Sequence, residues 1–398
     1  MNSIKSIINK NIFLLDLATR AYFCRKNSET KRALKPVLEI DPITDFDDFK
    51  NAVIKFKQTK GQREWLGLNG IAGDSSLYGH LYALCQYASI EYTDRTKLLL
   101  PAIEHGISWL DKEMPSDTLP YTHCIVSQGP YRHRSIRRQA RVIPHYIIGP
   151  FIHYAKSYFD NTKLQQMKEC WKKTLLVFPA HTYELGTSDY SREEYVSKLF
   201  TKVKDTFDTI VVSAYWNDVD DPMVSLFKER GALIVSSGLR EDPNFLPRLK
   251  SLLLLADATT GNTLGTNIGY SLYLKKPFFY FDGHSGVKYE DFSSGQRSNS
   301  IENKHMANLI SEAEGAFCCL KPTAHQLTLQ KQFYNRFWGQ DSYIKSPDEI
   351  RYIFEISLHV LKETRGNISS FAYAYLNYLN ELKLSNEKKY ILLKNALD

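Results

Sequence analysis

The sequence holds no apolar run near the ~20 residues that a membrane-crossing helix needs. Its early apolar stretch, Ile12-Phe13-Leu14-Leu15, is too short for the apolar core of a secretory leader. Cysteine is sparse. Cys24, Cys85, Cys124, Cys170, Cys318 and Cys319 are scattered with no CxxC spacing, which argues for reduced thiols and a cytosolic compartment. The adjacent Cys318-Cys319 pair reads as buried apolar filler. Neither sign of charge dominates: 51 Lys and Arg stand against 44 Asp and Glu, a net +7. That balance lacks the extreme of a nucleic-acid binder, and no nucleic-acid module is present. It suits an anionic substrate, or loose peripheral contact with an anionic inner-membrane surface. Repeats and low-complexity segments are missing. No set of side chains has metal-ligand spacing, so no metal site is expected; Mg²⁺ held loosely by Asp218, Asp220 and Asp221 is the nearest thing to one.

What is present is 398 residues, too many for one ordinary core. Helical signals cover residues 3–26, 45–57 and 75–90, with a strand expected at 36–40. Short apolar strands follow at 97–101, 124–129 and 141–150. A helical stretch at 151–171 leads into a second alternating run. Its strands are expected at 174–178, 209–215, 232–236 and 278–281, and its helices at 193–206, 222–230 and 247–256. Residues 291–303 read as a loop, and the chain from 347 onward reads as helical. Strands alternating with helices indicate parallel layering. The expected class is therefore α/β: two Rossmann-like doubly wound domains facing a central cleft, with a helical C-terminal tail. The boundaries fall at 1–165 and 166–340 for the two α/β domains, and 341–398 for helices packing back.

In open parallel sheets, ligands lie beyond the strand C-terminal ends. The most informative stretch there is 252–270, an apolar run ending in Asp257-Ala258-Thr259-Thr260-Gly261-Asn262-Thr263-Leu264-Gly265-Thr266 before a helix. A helix N-terminus behind small residues binds phosphate through backbone N–H groups and its dipole. Gly261, Asn262, Thr263, Gly265 and Thr266 are the donor-binding candidates; the plainer alternative is that the glycines only pack helix against sheet. His181 and Glu184 follow one strand. Ser237, Gly238 and Arg240 follow another, where a turn before a helix explains them equally well. Asp218 follows a third, as a carboxylate able to act as base, nucleophile or sugar partner. Asp220 and Asp221 fit helix capping better. In the first half, Glu104 and His105 couple a carboxylate to an imidazole and are candidates for the base that deprotonates an acceptor hydroxyl. The densest basic cluster, Arg132, His133, Arg134, Arg137, Arg138 and Arg141, suits an anionic acceptor, since arginine binds phosphate and carboxylate bidentately.

Several segments together resemble bacterial glycosyltransferases of the two-domain GT-B type from capsule and lipopolysaccharide clusters. They are Ile148-Gly149-Pro150-Phe151, Val177-Phe178-Pro179-Ala180-His181, Asp208-Thr209-Ile210-Val211-Val212-Ser213-Ala214-Tyr215-Trp216, Asp242-Pro243-Asn244-Phe245-Leu246-Pro247-Arg248, and the run from Asp257 to Lys276-Pro277. The resemblance implies transfer of a sugar from a nucleotide-sugar donor to a glycan or lipid-linked acceptor, without a cofactor or an obligatory metal, by a cytoplasmic protein that touches the inner membrane at most peripherally. The resemblance implies that 1–165 is the acceptor-binding domain and 166–340 the nucleotide-sugar-binding domain, with the donor around His181, Ser237, Asn262, Thr263, Gly265 and Thr266. Polyol-phosphate transfer, nucleotide-sugar epimerisation, and a non-catalytic role in polysaccharide assembly are the competing readings.

Overall fold

The structure, a computed structural model, describes residues 2–59, 65–111, 119–137, 142–181, 191–281 and 300–398. Its described strands form two parallel sheets. The first joins β1 (Ala102–Ile103), β2 (Ile125–Ser127) and β3 (His145–Ile147) in chain order. The second holds β4 (Thr174–Phe178), β5 (Thr209–Ser213), β6 (Leu233–Val235), β7 (Ala258–Gly261) and β8 (Phe278–Tyr280) in the order β6-β5-β4-β7-β8. The α/β class, the parallel sheets and the helical C-terminal region match expectation.

The second sheet is covered on both faces, which is why its strands read as continuous apolar runs rather than alternating ones. Leu175, Val177, Ile210 and Val212 point into a core with Val196, Leu199 and Phe227. Leu176 and Val211 point the other way, onto Leu252 and Leu253. The two ends of the chain cross over between the sheets. Helices Ser28–Glu39 and Phe46–Lys57 lie on the second sheet's side, where Leu34, Val37 and Phe49 pack with Trp216, Val219 and Leu239. Helices Pro347–Glu363 and Glu387–Leu397 pack together, against helix Asp94–Leu99 and against β3 respectively. The N-terminal segment is tied to this tail, with Asn11 bridging Asn367.

Local expectations failed where short apolar runs are ambiguous. Residues 36–40 are not a strand. Thr30, Leu34 and Val37 recur at helical spacing on the buried face of Ser28–Glu39. Residues 97–99 end a helix, because Thr93 and Thr96 form a reciprocal capping box at its start; the strand begins at Ala102. The opening helix is two, Asn2–Asn9 and Ile12–Lys26, since the Asn11 side chain accepts the N–H groups of Phe13 and Leu14 and starts a new one. Residues 258–261, expected as loop, are β7, the strand next to β4. The polar Thr259 and Thr260 hid it: their hydroxyls are buried and bond to Ser271 and to the Phe279 carbonyl. Cys318 is exposed and Cys319 half-buried in the turn after helix Ser300–Ala316, so the pair is not core filler. The loop expected at 291–303 lies outside the described residues as far as 299, and helix starts at Ser300.

Candidate functional site

Chain order runs β4, β5, β6 in one direction, then returns to the other flank of β4 for β7 and β8. The sheet therefore has its topological switch point between β4 and β7, the place beyond the strand ends where open parallel sheets form a ligand crevice. Asn262 closes the floor of that crevice. Fully buried, it accepts the Ala180 N–H on Oδ1 at 2.6 Å, and its carbonyl accepts the Tyr280 hydroxyl at 3.1 Å. It stitches the ends of β4 and β7 together, so its side chain supports the site from beneath. Gly261 and Gly269 have packing roles. A Cβ on the first would sit 2.8 Å from the Phe178 carbonyl, and one on the second 2.0 Å from the Trp338 ring. At the rim, Thr263, Gly265 and Thr266 remain half-buried, the last two at the N-terminus of helix Thr266–Tyr273.

The neighbouring strand ends supply aromatic and acidic groups. The His181 ring stacks on Tyr215, with centroids 4.4 Å apart, and both rings line a small pocket with Asp218, Ala180 and Met223. Burial pushes the Tyr215 hydroxyl well above its ordinary range, with Tyr78 adding to the shift. Asp221 is a helix cap, as its position suggested: it accepts the Met223 N–H and holds Arg192 through two bonds of 2.8 and 2.9 Å. Asp220 instead pairs with Lys57 at 2.7 Å. Ser237 is buried. Gly238 has φ +98°, and a Cβ there would press on Arg248 Nη1, so glycine is required. Arg248 and Asp242 form a buried ion pair beneath that turn. Arg240 binds Glu241 at 2.9 Å and lies over the Trp216 ring.

The first half meets this crevice directly. Thr266 Oγ1 accepts the Ile107 N–H at 3.2 Å, and a Cβ on Gly106 would lie 2.9 Å from the same oxygen. The loop after β1 thus sits against the N-terminus of helix Thr266–Tyr273. The Glu104 carboxylate accepts the Ser108 N–H on one oxygen at 3.3 Å and the Gln128 N–H on the other at 2.9 Å. It shapes this loop and ties it to β2. His105 Nε2 lies 2.7 Å from the Asp74 carbonyl. A carbonyl only accepts, so Nε2 carries the proton and Nδ1 is the basic atom. Behind it, burial and the neighbouring His105 hold His80 down to about 3, a neutral imidazole.

The arginine-rich segment is a different kind of place. Arg132 is buried and donates to Ser135 Oγ at 3.0 Å. Arg137 donates to the Leu397 and Ala396 carbonyls at 2.5 and 3.1 Å, closing the C-terminus of helix Glu387–Leu397. Arg137 Nε also donates to His133 Nε2 at 3.2 Å. His133 Nδ1 then carries a proton for His145 Nδ1 at 2.7 Å, and His145 Nε2 in turn donates to Ser127 Oγ at 2.6 Å. Ser127 accepts a hydrogen bond along this chain rather than donating one, so the Ser–His contact is not an activated nucleophile. Arg132, His133 and Arg137, expected to hold an anionic acceptor, each have a partner within the chain. Arg134 lies over the Tyr131 ring. Arg138, Arg141 and Glu184 fall outside the described residues.

Sequence reasoning missed Tyr78 and His80 as crevice residues. Tyr78 and Gly79 both have positive φ, a turn that splits the expected helix at 75–90. Among the described residues, no group of three or more His, Cys, Asp or Glu is placed to hold a metal, and no helix is long and apolar enough to cross a membrane. No protein-family description matches the chain, and no curated protein does. Among solved structures, the wall teichoic acid polymerase TagF, in a form carrying H444N and CDPG, is similar at 14% identity with a TM-score of 0.33. The match covers 61% of this chain and 59% of that one, so the chain matches less than two thirds of that polymerase's length.

Proposed function

We propose that this chain is a glycosyltransferase of two-domain type, moving a sugar from a nucleotide-sugar donor to a hydroxyl of a surface-polysaccharide or lipid-linked acceptor. The observation that carries the reading is the switch-point crevice between β4 and β7, with the His105 loop of the other sheet docked on its helix N-terminus. In this reading the donor phosphates lie at the N-terminus of helix Thr266–Tyr273, against Thr263, Gly265 and Thr266. Preorganised N–H groups there stabilise the charge that builds on the leaving phosphate. His181 and Tyr215 offer a ring platform for the base or sugar. His105, basic at Nδ1, takes the acceptor proton, and Glu104 positions its loop through the two N–H groups it accepts.

A thermal-shift screen against CMP, CDP, UDP, GDP and TDP, with and without Mg²⁺, tests the donor half. A nucleotide at about 100 times its Kd adds about 2.7 kcal/mol to stability. The expected result is a shift with one nucleotide that Thr266→Ala abolishes while the variant stays folded. If none of the five moves the melting temperature, the crevice is not a nucleotide site and the transferase reading fails.

A further inference from the structure

Helix Ile12–Lys26 is packed with charged side chains inward. Asp16 is buried; its carboxylate accepts the Ile71 N–H at 3.1 Å and pairs with Arg20 at 2.7 Å. Arg20 also reaches Asp94 at 3.2 Å. Ile12 is the one apolar residue of this helix that is buried. The opposite face carries Phe13, Leu14 and Leu17, all exposed, Leu17 at 65%. Positions 13, 14, 17 and 21 fall within about 100° of arc on one side of a helix. A surface helix ordinarily turns its apolar stripe to the core and its charges to water. Here an ion pair docks the helix and leucines meet solvent. Ile7, in the preceding helix Asn2–Asn9, is 60% exposed, and Tyr22 is exposed as well. Five of the fourteen large apolar side chains exposed among the described residues therefore lie between residues 7 and 22. Single exposed hydrophobic residues are ordinary, whereas a cluster of them marks a binding face.

The charge around this face has one sign. Residues 1–39 hold eight Lys and Arg against three Asp and Glu, so a tenth of the chain carries +5 of the net +7. Lys10 precedes the helix and Arg25 and Lys26 end it, all exposed. Lys31, Arg32 and Lys35 follow on the exposed side of helix Ser28–Glu39. Of the three acids, Asp16 is buried, and Glu29 and Glu39 are exposed. A second copy of the chain would bring the same positive charge to the same place, and like charges repel. An anionic bilayer offers the complement to both features: acyl chains for the leucines and phosphates for the basic residues.

We propose that helices Asn2–Asn9 and Ile12–Lys26 form a docking face for an anionic phospholipid surface, with Phe13, Leu14 and Leu17 entering the headgroup region and the flanking basic residues holding lipid phosphates. The inference is independent of the transferase reading.

Co-sedimentation of the full chain with vesicles tests it. The chain is expected to bind vesicles of phosphatidylcholine and phosphatidylglycerol in equal parts, and not vesicles of phosphatidylcholine alone. Binding is expected to weaken at about 1 M salt, where charges are screened within about 3 Å. Leu14→Gln with Leu17→Gln should reduce the partition roughly tenfold for each leucine. Arg25→Gln, Lys31→Gln and Arg32→Gln together should reduce it about fivefold for each charge. All five positions are exposed, so the melting temperature of both variants should match that of the natural chain. Leu384→Gln changes the most exposed apolar side chain, at 93%, and should leave binding as it is. Leu17→Trp should add a fluorescence component that moves to the blue on the mixed vesicles. No binding to the mixed vesicles, binding that both multiple variants retain, an equal loss in Leu384→Gln, or an unmoved Leu17→Trp emission overturns the proposal. So does a natural chain that is dimeric by sedimentation equilibrium and that Leu14→Gln with Leu17→Gln makes monomeric, since the face then belongs to a second copy.

Discussion

The arginine-rich helix Pro130–Arg137 and the crevice at the ends of β4 and β7 are both dense in polar side chains, and they use them in opposite ways. On the helix, Arg132, His133 and Arg137 have partners within the protein, and Arg137 anchors the end of helix Glu387–Leu397. At the crevice the polar groups are in two tiers. Asn262, Ser237 and the Asp242–Arg248 pair are buried beneath, while Thr263, Thr266, His181 and Asp218 are half-buried at the rim. Charge density along a sequence therefore does not tell a cluster with internal partners from an accessible rim. At the crevice, buried polar groups lie beneath a rim that stays accessible at the sheet's topological switch point, the place where open parallel sheets bind ligands.

The comparison can be broken by removing each tier. The largest effect is expected from Arg248→Ala, which leaves the Asp242 carboxylate buried without its partner. Losing one member of a buried pair costs about 3–5 kcal/mol, and chemical denaturation should show it as a lower midpoint, with the 238–242 turn exchanging faster. An Arg248→Ala protein of unchanged stability would mean that the buried tier does not support the crevice.

Acid comes next. Burial holds His80 at about 3 and His123 at about 4 in the folded chain, against 6.5 when unfolded. The unfolded state takes up these protons first, so stability is full above pH 6.5 and falls as pH drops below it towards the folded values. By pH 5 each histidine removes about 2 kcal/mol. Denaturation midpoints measured from pH 7.5 to 5 should fall accordingly, and His80→Gln should flatten its share of the slope.

Arg137→Ala should cost about 2 kcal/mol, because two charge-assisted bonds to the Leu397 and Ala396 carbonyls are lost. Exchange should rise in 387–397 and in the β3 segment it covers, while nucleotide-dependent stabilisation stays as in the natural chain. A loss of nucleotide response on Arg137→Ala would return the arginine helix to the functional surface and erase the contrast drawn above. The smallest effect is expected from Thr266→Val. It removes the acceptor for the Ile107 N–H, worth about 1 kcal/mol, and should loosen the 104–107 loop with little change in global stability.

Much of the second half was legible in the sequence. β4 and β5 are continuous apolar runs, and Asp221-Pro222 with Gly231 brackets a helix by capping and stop signals that act locally. Thr266 and Gly265 were legible as a helix start for the same reason. β7 was not, because its hydroxyls are satisfied by Ser271 and Phe279, partners that exist only once the sheet is built. The partners of the arginine cluster were hidden in the same way: that of Arg137 lies 260 residues away. Tyr78 carries no pattern that distinguishes it from the 24 other tyrosines of the 25 present.

The sequence by itself determined the local elements: where apolar period and capping chemistry agree, and hence the alternation of strands and helices that makes the chain α/β. Those signals act over a few residues and need no partner. Only the tertiary structure decided which polar residues are accessible. Burial and hydrogen-bond satisfaction are relations between distant segments, so Asn262 came to join the ends of β4 and β7, Arg137 became an anchor for a C-terminal helix, and the loop of His105 came to lie against the start of helix Thr266–Tyr273.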